Sequence, residues 1–318
     1  MRKSVSGAII AGFLLVSAHS AVAGLIATGD LMVSLRNGTV REYTPTGALV
    51  QTLNTGFSGE INGSGFDQSG NFYVTAGFSG GGVVKFDPNG NLLGAFGSGY
   101  SGHTESLVFD TAGNMYVGQA DSTHVVKLSS TGALLTTYTL ATQDRGTDWV
   151  DLSSDQQTLF YTSEGSQVKR FNVATSTQLA DFSNVGGTEF ALRLLSGGGL
   201  LVADTTNVLR IGAGGTITQT YLTGSSLLFA LNLDPNGVDF WTAEYSSGRI
   251  VAVNIATGAI DHDFNIGTGI SGLSLKGEIT AGGPGPGVPE PATWMLMAGG
   301  LVALTSRRLR KINRNSGF

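Results

Sequence analysis

The chain has 318 residues, of which 48 are glycine and none is cysteine, so a disulfide framework, a thiolate metal site and a cysteine nucleophile are all excluded. Net charge is −5, and the stretch from Gly24 to Val288 keeps 11 of the 18 basic residues and 22 of the 23 acidic ones. Such a surface repels phosphate backbones and argues against nucleic acid as a partner.

The chain opens with Arg2 and Lys3, an apolar run from Ala8 to Val16, and the small residues Ala21-Val22-Ala23. This is the three-part plan of a secretory signal, with cleavage expected after Ala23. Nine apolar residues are too few to cross a hydrocarbon core, which needs about 20.

Residues 24–279 are expected to form one all-β domain. The phrase Gly65 to Val74 recurs as Val108 to Val117, 43 residues later, and each copy is followed by a second shared phrase, Val83 to Leu93 and then Val125 to Leu135. Fainter copies follow at Leu159 to Tyr161, Leu200 to Ala203 and Phe240 to Thr242. A period of about 42 residues holding four short strands is a propeller blade rather than a βαβ unit. Leu31 to Leu35, Thr39 to Tyr43 and Ala48 to Leu53 supply only the last three strands of a blade, and Ile270 to Lys276 only a first strand. Joined, they complete a sixth blade and close the ring. The phrase with Phe-Asp, Gly-Asn, Tyr-Val and Lys-Phe-Asp resembles NHL-type propeller repeats.

Residues 280–288 are a Gly/Pro linker that can build neither helix nor strand. Residues 289–318 follow, with Pro289-Glu290-Pro291, an apolar stretch from Met295 to Leu304, and the basic cluster Arg307, Arg308, Arg310 and Lys311. This tail resembles the PEP-CTERM sorting signals of bacteria. The resemblance implies an exosortase-type processing enzyme as partner and a transmembrane helix held in the inner membrane. The basic cluster stops transfer by the positive-inside rule. Release would lead to the periplasm, the outer surface or the extracellular matrix.

Chemistry is sparser. Gly77-Phe78-Ser79-Gly80-Gly81 spells a hydrolase elbow, and Gly97 to Gly102 a dinucleotide loop, but both lie in turns between strands where neither motif functions. The Asp-x-x-Gly-Asn phrases at Asp67, Asp87 and Asp110 read as hairpin turns in which the Asp accepts hydrogen bonds from its own loop. Just before the first strands of successive blades stand His103 and Glu105, Asp148 and Glu189, with Glu60 and Asn62 in the preceding blade and Leu228 breaking the pattern in the sixth. Polar residues entering the innermost strands converge on the channel mouth, so these acids are the candidate binding set. No residue is assigned as catalytic. One expectation is a binding or scaffold protein taking an extracellular glycan, peptide or partner protein at this mouth. The alternative is a lactonase- or lyase-type enzyme with calcium on Glu105, Asp148 and Glu189 and His103 as general base. A third is a matrix protein with no defined ligand.

Overall fold

The computed structural model describes residues 24–281. The expected signal segment, the Pro-Glu-Pro motif, the apolar tail and its basic cluster lie outside the described residues.

Six antiparallel sheets are arranged as the blades of a propeller. The innermost strands, taken from blade 1 to blade 6, are Ile270–Leu275, Ser64–Phe66, His103–Phe109, Val150–Leu152, Glu189–Leu194 and Leu228–Leu233. Blade 1 is composite: Ile270–Leu275 pairs with Leu31–Leu35, which continues to Thr39–Tyr43 and Leu49–Asn54. Leu31 lies opposite Leu275, so the two ends of the body hide one another's edges.

Burial explains why these sequences make these strands. Second strands such as Met115–Ala120 and Leu200–Asp204 are buried along their whole length, because neighbouring blades cover both faces. Outermost strands are mostly exposed and bury a single large residue: Leu53, Phe96, Tyr138 and Tyr221 hold the same fifth place in four blades. The recurring aromatics Tyr73, Tyr116, Tyr161 and Trp241 are buried blade packing. Tyr73 meets Phe96 at 5.0 Å and Phe109 of the next blade at 5.2 Å, both edge to face, an arrangement worth about 0.5–1.5 kcal/mol beyond the area buried.

The Asp turns are as the sequence suggests. Asp67 accepts from the Asn71 backbone N–H at 2.9 Å and from its side-chain amide at 2.7 Å, and Asp87 and Asp110 repeat this with Asn91 and Asn114. Gly70 stands in the left-handed region of that first turn, at φ +82°. At the axis glycine serves close approach instead. A Cβ on Gly272 would lie 2.0 Å from the backbone oxygen of Asn62, so blades 1 and 2 can meet only around a bare Cα.

Candidate functional site at the channel mouth

The innermost strands begin at one mouth of the channel, the near mouth, and end at the other. At the near mouth each strand carries one residue too many for its partner. In blade 3 Thr104 pairs with Gln119 and Ser106 with Gly118, which leaves Glu105 as the bulged residue. Phe229 in blade 6 and Ser271 in blade 1 are left over in the same way. In blade 2 Asn62 and Gly63 together oppose Thr75, and in blade 4 Asp148 and Trp149 together oppose Thr162. The blade 5 bulge falls between Glu189 and Leu192, and the Phe190 carbonyl there accepts from Thr162 Oγ1 as the Glu105 carbonyl accepts from Thr75 Oγ1. A bulge re-aims one side chain out of the pleat. Six of them make a ring of Asn62, Glu105, Asp148, Phe190, Phe229 and Ser271.

This ring revises the phase of the expected set. Glu105 and Asp148 belong to it, as does Asn62, but Glu189 stands one residue early, pairs with Asp204, and leaves its ring position to Phe190. Phe229, not Leu228, takes the place in blade 6. Asn62, Glu105 and Asp148 stand 43 residues apart, and the same step reaches Ala191, so spacing alone does not mark Phe190 in the sequence.

Glu105 and Asp148 form a buried carboxyl pair. Loss of water pushes both well above the usual carboxylate range; Glu164 lifts Glu105 further, and Glu105 lifts Asp148. Arg145 opposes the rise at both groups without cancelling it. Glu105 Oε2 and both Asp148 oxygens are sealed from solvent, with no hydrogen-bond donor among the described residues except what a proton on the pair itself provides. Burial and mutual repulsion therefore bias the pair toward its protonated form. Burial pushes Glu189, apart from them, up to about 8.

Above this floor lies a rim of planar groups. His103 stacks on Phe78 at 4.6 Å, and its Nδ1 is 2.9 Å from Asp121 Oδ2; it does not pair with Glu105, because the bulge turns the two apart. Arg145 donates to both Asp121 oxygens at 3.0 and 3.1 Å, reaches Glu164 at 3.6 Å, and lies 5.4 Å over Phe78. Asp121 and Glu164 are non-glycine residues in the left-handed region, at φ 57° and 48°. Each such residue costs about 1–3 kcal/mol, which the Arg145 bridge helps to offset. Across the mouth the Tyr245 hydroxyl donates to Glu60 Oε2 at 2.7 Å beneath the Arg36 guanidinium, 4.7 Å from its ring, and Phe229 sits between Phe190 and Tyr245 at 5.3 and 5.2 Å. Asn62 donates to Glu60 Oε1 at 3.1 Å.

The donor set is short of what calcium takes. That ion needs about six to eight oxygens, and among the described residues no three His, Asp or Glu side chains are grouped to hold a metal. Ser79 Oγ donates to the Glu60 carbonyl at 2.6 Å from a single 3₁₀ turn, Gly77–Ser79, so the serine is structural.

Residues 287–311 match the PEP-CTERM protein-sorting motif. The chain carries a PEP-CTERM sorting tail behind a six-bladed propeller. The motif implies export, membrane-associated sorting and exosortase processing. None of the curated proteins matches the chain. Among solved structures the propeller is similar to a protein of unknown function from Bacteroides caccae, with 14% identity, a TM-score of 0.64, and 78% of this chain and 98% of that one covered. It is also similar to the WD40 propeller domain of Doa1, with 14% identity, a TM-score of 0.56 and coverage of 77% and 86%. Virginiamycin B lyase from Staphylococcus aureus matches with 15% identity, a TM-score of 0.51 and coverage of 65% and 70%. At these identities the likeness is one of fold.

Proposed function

We propose that this exported propeller is a binding module of the bacterial envelope, and that its near mouth takes an extracellular glycan. The observation that carries the reading is the rim: Phe78 with His103 and Arg145 on one side, and Tyr245 with Arg36, Phe229 and Phe190 on the other. Planar faces next to carboxylates and guanidinium groups suit sugar rings, whose C–H faces stack while their hydroxyls exchange hydrogen bonds. Delivery by a sorting tail to the periplasm, outer surface or extracellular matrix supports the same reading.

The test is an oligosaccharide array probed with residues 24–281, followed by calorimetric titration of any glycan retained. Phe78→Ala and Tyr245→Ala should each weaken a true ligand about tenfold, the loss of roughly one stacked ring. An array without a hit, or a hit untouched by both variants, sinks the glycan reading.

The buried Glu105–Asp148 pair favours one second reading, an enzyme that uses a carboxyl biased toward its protonated form as general acid. Two structures with a similar fold, virginiamycin B lyase and streptogramin B lyase, are lyases. Turnover of a retained glycan, or of a lactone or ester panel, abolished by Glu105→Gln would favour that reading.

A further inference from the structure

The far mouth of the channel, where the innermost strands end, holds a cavity of about 770 Å³, the size of small-ligand sites in general. Its wall is mixed, with an apolar part made by Phe66, Leu107, Phe109 and Leu275 from blades 1, 2 and 3. Four charged residues line it, and three already hold hydrogen-bond partners, although the Asp67 carboxylate keeps its charge because its partners are neutral. Asp67 accepts from Asn71 and from the Tyr73 hydroxyl at 3.0 Å. Glu278 accepts from Arg193 Nε at 2.7 Å, the Asn232 amide at 2.9 Å and the Leu233 backbone N–H at 2.8 Å, so the Arg193 and Glu278 charges cancel. The Lys276 ammonium differs: it lies 4.5 Å over the Phe66 ring and, among the described residues, makes no ion pair.

We infer that this cavity is a second binding site, for a small amphipathic anion whose apolar body packs on Phe66, Leu107 and Phe109 and whose carboxylate or sulfonate meets Lys276. Burial depresses the Lys276 ammonium below the usual lysine range, with Asp67 opposing the shift. A half-dry cation on an aromatic ring gains more from an anion than a solvated one does. The site lies at the opposite pole from the rim and does not depend on the glycan reading.

The probe is 8-anilinonaphthalene-1-sulfonate, titrated by fluorescence into residues 24–281, within which the ring closes. Its uncharged counterpart, N-phenyl-1-naphthylamine, is titrated in parallel. The expected result is saturable one-to-one binding of the anion. Lys276→Gln should weaken it about tenfold while leaving the neutral dye unchanged, and Lys276→Arg should restore it to within about threefold. Thr28→Trp, at an exposed rim position, should block both dyes without a change in melting temperature. Non-saturating binding, or anion affinity untouched by Lys276→Gln and Thr28→Trp, overturns the inference.

Discussion

Replacing Glu278 by glutamine should unlatch the carboxyl end of the propeller. Glu278 follows the last strand of the ring and reaches Arg193 in blade 5 and both Asn232 and Leu233 in blade 6. Arg193 is 4% exposed and stands within the field of Asp151 of blade 4, so one carboxylate ties three blades together. Glutamine keeps the shape and still accepts from Leu233, but it leaves a buried guanidinium with half its counter-charge. Breaking a buried pair costs about 3–5 kcal/mol. Asp151, pushed up to about 6 by burial and held there partly by Glu278 against the pull of Arg193, ionises more completely once Glu278 is neutral. That recovers a small part of the cost and leaves a net loss of about 3 kcal/mol. For a domain of this size, scanning calorimetry should register a fall of about 6–10 °C. Adding Arg193→Met should recover most of it, since the pair is then removed rather than broken. A melting temperature within 2 °C of the parent's would refute the reasoning.

Three further outcomes follow from the same geometry. Gly272→Ala should yield little soluble protein, because its Cβ would meet the Asn62 oxygen, whereas Gly197→Ala, with open space around it, should stay within about 0.5 kcal/mol by calorimetry. Burial raises the Glu189 carboxyl from its ordinary value to about 8, so the folded protein holds a proton that the unfolded chain has released. The stability this gives is complete below the unfolded pKa, near pH 4.3, and is lost as pH rises through about 8, at up to about 1.4 kcal/mol per unit. Melting temperatures measured from pH 5 to 8 should therefore slope less in Glu189→Gln than in the parent. His103→Ala, at a half-exposed rim position where the ring stacks on Phe78 and bonds Asp121, should change stability by less than about 1 kcal/mol in denaturant titrations.

The blades were legible because their signals are local: glycine and aspartate turns at fixed offsets, an aromatic in the second strand of four blades, and incomplete strand sets at the two ends. Leu31–Leu35, Thr39–Tyr43 and Ile270–Leu275 coincide with the strands expected there to within a residue. The mouth was half legible. Glu105 and Asp148 stood out as acids at blade spacing, but Glu189 drew attention by its charge while the bulge in its strand gave the ring position to Phe190. Bulges change phase without changing composition, so a reading by residue type misses them. The far mouth was not legible at all. Glu278 lies 85 residues from Arg193, and nothing in its neighbours shows that it is a latch rather than the start of a linker.

The pairing of Leu31–Leu35 with Ile270–Leu275 also sets a schedule. The first strand made has no inner neighbour until the last one has crossed the membrane, so blade 1 stays open throughout export. The sorting motif begins at residue 287, and that last strand ends at Leu275. The ring can shut only once the chain just ahead of the sorting motif has been delivered. Arrival at the sorting machinery and completion of the fold are thus nearly one event, and a chain truncated before residue 275 would lose both its address and the strand that seals it.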